Sequence, residues 1–453
     1  MKWKLLPAVI ALACSANAQS QSLEQAVATS LATNPKIQQS FNDLQSYKLS
    51  IGVAAGAYKP SLDLSAYAGK QKTNSSTTRS NGNDDDWMNA RQAKLTLRQL
   101  IWDGSTQNNI DRTKSEAEAA RYQLLSDVQD KALEVAQAYI AVVKAQKIVD
   151  LSEDNIKVLK KLRKDIKRRT DTGMGIKSDI TQVDARISKA NSNLMAAKNN
   201  LADANSNFTF LVNERPDNLV FPEVDANYLP TNLDDALSRA HQYNPVLKIS
   251  SHDIEATRYQ KDMRDGAFLP SFSVEASQEY GKDLSGVDGD YDQTSVLLTM
   301  DWNLLNGGAD KANSEKMVYE IRKAQNVQKN ALDELNQSTK LSWDAYQLTD
   351  QQRKFLQTTV DSTAATLNAY EKEFQIGKRT LLDLLNTENE LFETRQSYIT
   401  SYYDFVAAKY RVLNATGQIL DEMRVATPKE WYESIVEQSD ADNSSVSSQP
   451  EVE

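Results

Sequence analysis

The stretch Ala57-Tyr58-Lys59-Pro60-Ser61-Leu62-Asp63-Leu64-Ser65-Ala66 contains a change of period. Beyond Pro60 apolar residues take every second position, as in a half-buried strand, whereas the residues before it follow a helical pattern. Proline disfavours helix in the residue that precedes it, so Pro60 marks a helix-to-strand switch. The same stretch returns as Ala267-Phe268-Leu269-Pro270-Ser271-Phe272-Ser273-Val274-Glu275-Ala276, with Pro270 as the second switch.

Working outward, the whole chain is duplicated. Ser22-Leu23-Glu24-Gln25-Ala26 leading to Asn34-Pro35 is matched by Asn232-Leu233-Asp234-Asp235-Ala236 leading to Asn244-Pro245, each a short capped helix and a turn. Trp102-Asp103-Gly104 is matched by Leu305-Asn306-Gly307. From just beyond each of these turns, neither Gly nor Pro appears until Gly173 and Gly377, which predicts two helices of about 68 residues and about 100 Å. Val128, Val135, Val142, Val149 and Ile156 recur every seventh position, a coiled-coil seam. Leu341, Leu348 and Phe355 repeat it, and the frame then shifts to Val360, Leu367 and Phe374, a local change of supercoil.

Helical stretches of about 40 residues follow Gly173 and Gly377 and end near Pro216 and Gly417; with the shorter stretches Pro35–Gly56 and Pro245–Gly266 they nearly match one long helix in length. The arithmetic favours a tall cylinder of antiparallel helices. The organisation expected is a signal peptide (1–18), a first repeat (19–215), a linker (216–231), a second repeat (232–420) and an acidic disordered tail (421–453).

Lys94 to Trp102 alternates loosely, and Val296, Leu298, Met300 and Trp302 alternate clearly, so each repeat carries a strand pair long enough to cross a bilayer. The intervening loops, Thr73 to Asp86 and Asp283 to Asp292, are polar. Four strands cannot close a barrel, and open edges are not tolerated in lipid. Three copies would supply twelve strands.

Lys2 and Lys4, the apolar run Leu5 to Cys14 and Ala16-Asn17-Ala18 read as a secretory signal cleaved after Ala18. Ala11 stands where a lipobox usually has Leu, which counts against lipidation of Cys14; a chain cut after Ala18 keeps no cysteine. The net charge of −10 is concentrated toward the C-terminus, and Asp440 to Glu453 has the composition of a disordered segment. No basic patch suits nucleic acid. No phosphate-binding loop, nucleophile elbow or zinc motif is present, so no cofactor, metal or enzymatic activity is expected.

The duplicated unit, with the turn motifs Gly173-Met174-Gly175-Ile176-Lys177-Ser178-Asp179 and Phe374-Gln375-Ile376-Gly377-Lys378-Arg379-Thr380-Leu381-Leu382-Asp383, resembles the TolC family of outer-membrane efflux and secretion channels over about Ser22 to Leu420. The resemblance implies a mainly α fold with membrane β structure. It would be a homotrimer with a twelve-stranded barrel shared by three protomers and a long coiled-coil helical tunnel in the periplasm. The implied partners are outer-membrane lipid, a periplasmic adaptor (membrane fusion protein) and an inner-membrane transporter, either ABC-type or proton-driven. The implied role is a passive exit duct, with type I protein secretion favoured over multidrug efflux.

By the same resemblance, Arg379 matches an Arg that ties the inner helix pair to the outer pair, with Ser178 and Asp179 at its partner positions; Phe374 replaces a Tyr of some relatives and would weaken this latch. Asp383 matches an acidic ring at the pore entrance, and Asn386 stands where some relatives have a second Asp. Gly104 and Gly307 are the strand-to-helix switches.

His241 and His252 fit packing roles better than metal binding, and Asp84-Asp85-Asp86 a solvated loop. The basic run Lys157 to Arg169, with Lys160 and Lys161, is either a solvated helix end favoured by the dipole or an adaptor-docking face. A structural coiled-coil protein would explain the helices but not the strand pairs.

Overall fold

The computed structural model describes residues 21–82, 84–173 and 175–435. The expected signal peptide with Cys14 and the stretch Asp440 to Glu453 lie outside them. In the first repeat, Ser22 caps α1 (Leu23–Thr33) in a reciprocal box with Gln25, and α2 (Pro35–Ala55) begins on Pro35, whose missing N–H is harmless in a first turn. A single 3-10 turn leads to β1 (Ser61–Gln71), then α3 (Ser76–Asn81) and β2 (Met88–Trp102). α4 (Thr106–Asp171) has 66 residues and α5 (Lys177–Val212) has 36.

The second repeat follows the same order. Asn232 caps α6 (Leu233–Tyr243), accepting from the Asp235 N–H at 2.8 Å, and Pro245 opens α7 (Pro245–Asp265). β3 (Ser271–Lys282) and β4 (Asp290–Asp301) lead to α8 (Ala309–Gln375), of 67 residues, α9 (Leu381–Ala415) and the short α10 (Ile419–Glu422). Both prolines thus stand immediately before a strand. Among the described residues no helix is long and apolar enough to cross a membrane.

The chain divides into two compact units. The first, residues 39–126, 245–334 and 428–435 among the described residues, holds the sheet, antiparallel in the order β1-β2-β3-β4. Its register places Leu62 opposite Leu97, Leu64 opposite Leu95, Leu97 opposite Ala276 and Val274 opposite Leu298. One face is therefore apolar, and its large side chains are bare: Leu64 and Leu298 are each 73% exposed. The other face carries Asp63, Lys94, Arg98 and Glu275, with Ser273–Thr299 and Ser277–Ser295 hydrogen bonds of 2.7 and 2.9 Å across its strands. β1 and β4 are each paired on one side only.

Beside the sheet, the end of α7 packs against the start of α4. A Cβ placed on Gly266 would fall 2.6 Å from the Gly104 carbonyl carbon and the Ser105 nitrogen, so only glycine permits this approach.

Residues 21–38, 127–244 and 335–427 form the second unit. Val128, Val135, Val142, Val149 and Ile156 are all buried, as the heptad spacing predicts. Val149, Ile156 and Ile166 of α4 pack with Val183, Ala190 and Leu194 of α5 and with Leu381 and Leu385 of α9. Leu367 of α8 packs with Leu384 and Leu391 of α9.

Four features differ from the sequence reading. The first polar loop contains α3, held by a Ser75–Thr78 capping box, with Thr78 fully buried. β2 begins at Met88, not Lys94. Residues 421–435, assigned to the disordered tail, are folded: Trp431 and Ile435 are buried, the Glu118 carboxylate accepts from Arg121, Ser434 and the Ile435 N–H, and Arg121 donates to the Trp431 and Tyr432 carbonyls. Composition misses this because the acidic segment is retained by a buried ion pair elsewhere in the chain. Finally, Leu341, Leu348 and Phe355 are 56, 63 and 74% exposed, so the α8 seam is uncovered within the protomer.

Candidate functional site at the helix-hairpin turns

The two helical hairpins turn at Gly173 and Gly377, with φ of +79° and +77°. A side chain would strain this left-handed backbone by about 1–2 kcal/mol. Beyond the second turn Thr380 caps α9 in a reciprocal box with Asp383, whose carboxylate accepts from the Thr380 hydroxyl at 2.8 Å. The Asp383 side chain therefore fixes its own helix start, as an acid in a first turn does well.

Arg379 is engaged on its own side of the turn. Its Nε donates to Glu373 Oε2 at 2.8 Å, and its guanidinium lies 4.0 Å from the Tyr370 ring centroid. Within the protomer the expected contact with Asp179 and Ser178 is not formed. Asp179 sits in the first turn of α5, where its charge suits the helix dipole, and its N–H meets the Ile176 carbonyl. Six residues and one glycine turn bring Glu373 within reach of Arg379, a geometry invisible in the motif.

The cross-hairpin ties come from other arginines. Arg169 at the end of α4 donates to the Phe374 and Gln375 carbonyls at 3.4 and 3.3 Å and lies 4.8 Å from the Phe374 ring centroid. Phe374, expected to weaken the latch for want of a hydroxyl, is thus an Arg acceptor through its carbonyl and its ring face. Arg186 of α5 donates to Asn386 of α9 at 2.9 Å. Within the first hairpin, Arg163 of α4 binds Asp184 of α5 in a forked contact, whose hydrogen bond to Asp184 holds that carboxyl below its ordinary range.

Arg169, Arg186 and Tyr370 were not singled out from the sequence. Arg169 lies in the basic run, where its position four residues before Gly173 was the available signal. Lys160 and Lys161 are exposed. His241 meets Asn336 at 2.6 Å and His252 stacks on Tyr122, both ordinary packing contacts. Lys72 pairs with Asp85 of the acidic loop. Among the described residues no cluster of His, Cys, Asp and Glu could hold a metal.

A sheet with one bare apolar face and two open edges, in a chain with helices of 66 and 67 residues, defines an outer-membrane channel subunit. The chain belongs to the outer membrane efflux protein family, whose model matches residues 26–214 and 236–418, one repeat each. It is 25% identical to outer membrane efflux protein BepC of Brucella suis, over 92% of this chain and 91% of that one. It is 22% identical to alkaline protease secretion protein AprF of Pseudomonas aeruginosa, over 86% and 83%. The fold is shared with the crystal structure of the Campylobacter jejuni CmeC outer membrane channel, at a TM-score of 0.76 and 16% identity, covering 91% of this chain and 89% of that one. The family is one of outer-membrane channels, not enzymes, and the protein is an outer-membrane channel of the TolC type.

Proposed function

We propose that three copies of this chain close a twelve-stranded barrel and form the exit duct of a type I protein secretion system, working with a periplasmic adaptor and an inner-membrane transporter. The observation that carries the assembly is an asymmetry between the repeats. Gly266 packs on Gly104 and β3 pairs with β2, yet the equivalent glycines Gly56 and Gly307 face open space and the outer edges of β1 and β4 are unpaired. A neighbouring copy would make in trans the contacts the chain makes in cis. The helices support the same reading: Ala138, Ala145 and Ser152 of α4 are buried, while their counterparts Leu341, Leu348 and Phe355 of α8 are exposed apolar residues. Such a stripe calls for a partner.

The pairing of Leu97 with Ala276, transposed to the other copy of each strand, puts Met300 of one protomer opposite Ala66 of the next. Directly opposed residues lie about 4.5–5.5 Å apart, close enough for a disulfide. The double variant Ala66→Cys/Met300→Cys, oxidised in outer membranes, should run as a covalent trimer, and Ala66→Cys/Val296→Cys should not. Equal cross-linking in both, or none in either, would refute this register and closure.

Secretion of a polypeptide is favoured by the likeness to AprF and by the absence of any single-sign charge on the polar face of the sheet; the likeness to BepC supports efflux as the second reading. At the periplasmic end, Arg169 serves as a latch, Arg379 orders its own turn, Asp383 contributes to an acidic entrance, and the basic end of α4 with Lys160 and Lys161 offers a docking face for the adaptor.

A further inference from the structure

The gate region contains an acid that neither the ion pairs nor the caps use. Glu388, on α9, is only 9% exposed, and among the described residues its carboxyl forms no hydrogen bond or close ion pair. It borders a cavity of about 20 Å³ between α4, α5 and α9, lined also by Asn155, Arg186, Lys189, Asn193 and Asn389. A space of that size accommodates one water molecule, far less than a carboxylate's full hydration shell.

The charges around it do not compensate. α9 contributes Arg395, which attracts a carboxylate, and α8 contributes Glu371, which repels it. α5 contributes Arg186, already committed to Asn386, and Lys189; α4 contributes Asn155 and Leu159, without charge. Burial pushes the Glu388 carboxyl above its ordinary range against the pull of Arg395, and Glu371 adds to the push. A buried acid so placed is harder to ionise than the same acid in water.

We propose that Glu388 couples the position of α9 to proton concentration: the cramped seat of α9 against α4 and α5 favours the uncharged carboxyl, and displacement of α9 exposes the group to water, where it ionises more readily. The inference rests on the channel reading above and adds to it that α9 shifts when the periplasmic end opens. The sign follows from linkage. The seated state binds the proton more tightly than the displaced one, so acid favours the seated state, and raising the pH through the elevated pKa favours displacement. Glu388 is a positioning residue: it touches no substrate and acts through the helix that carries it.

The test is conductance of the purified full-length protein in planar bilayers between about pH 4 and about pH 8, a window that begins at the ordinary carboxyl pKa and extends well above it. Wild type should conduct more as pH rises, by about threefold or more across that window. Glu388→Gln, an isostere of the protonated acid, should remain at the acid value throughout, and Glu388→Asp should keep a pH dependence with a moved midpoint. A flat wild-type profile, or a Glu388→Gln profile like wild type, would overturn the proposal. So would failure of Glu388→Gln to assemble, since the seat would then not accept a neutral side chain. A wild-type protein that forms no channel at any pH would overturn the channel reading, and this inference with it.

Discussion

Arg169 and Arg379 carry the same charge near the same turns, but their bonds reach different distances along the chain. Arg379 grips Glu373 six residues back and organises one turn, whereas Arg169 reaches from the end of α4 to the last residues of α8. Only the second contact must break if the hairpins separate. In bilayers Arg169→Ala should therefore shift the closed-to-open balance by about 1–2 kcal/mol, roughly fivefold to thirtyfold, the scale of charge-assisted bonds to carbonyls with a ring contact added. Arg379→Ser should have the smaller effect unless its guanidinium also serves a neighbouring protomer. Conductance histograms of the two single variants decide between these outcomes; equal and unchanged conductance would remove both arginines from the gate. At this scale the sequence identified the motif residue and misplaced its partner. Which carboxylate an arginine meets depends on the path of a glycine turn, and Glu373 and Asp179 are equivalent by residue type alone.

The elements were far more legible. Proline switches, asparagine and serine caps and an uninterrupted helical period each express a local backbone preference, so α1, α2, α4 and α8 and their copies could be read along the chain. What escaped was decided by contacts distant in sequence: α3 lies in a loop and buries Thr78, and the segment up to Ile435 is held through Glu118 and Arg121. The contrast between Gly266 and Gly56 allows a test at the same scale. Gly266→Ala must displace backbone at Gly104 and should lower the stability of the chain itself, by about 1–3 kcal/mol as for overpacked sites. Gly56→Ala meets open space in the protomer and should leave its helix content and thermal midpoint unchanged while weakening the trimer. Circular dichroism and mass in detergent report the two effects separately. A trimer unaffected by Gly56→Ala would remove the transposed glycine contact.

For the whole molecule, the open question is what the duct carries, and its walls give a partial answer. The polar face of the sheet mixes Asp63, Glu275 and Glu279 with Lys94 and Arg98, and all five belong to β1, β2 or β3. Turned inward in a barrel, such a face has no strong field of either sign to select small ions or drugs by charge. It would tolerate an unfolded polypeptide whose charge varies along its length. In the proposed duct, the work of transport and the choice of cargo belong to the inner-membrane partner. Deleting the gene should then remove one or a few polypeptides from the culture medium and trap them in the cell, with little change in susceptibility to toxic compounds. Complementation with Lys94→Glu/Arg98→Glu, which makes the wall uniformly acidic, should restore assembly but slow release of acidic cargo. Deletion that sensitises the cell to small compounds while leaving the secreted proteins intact would assign the duct to efflux instead.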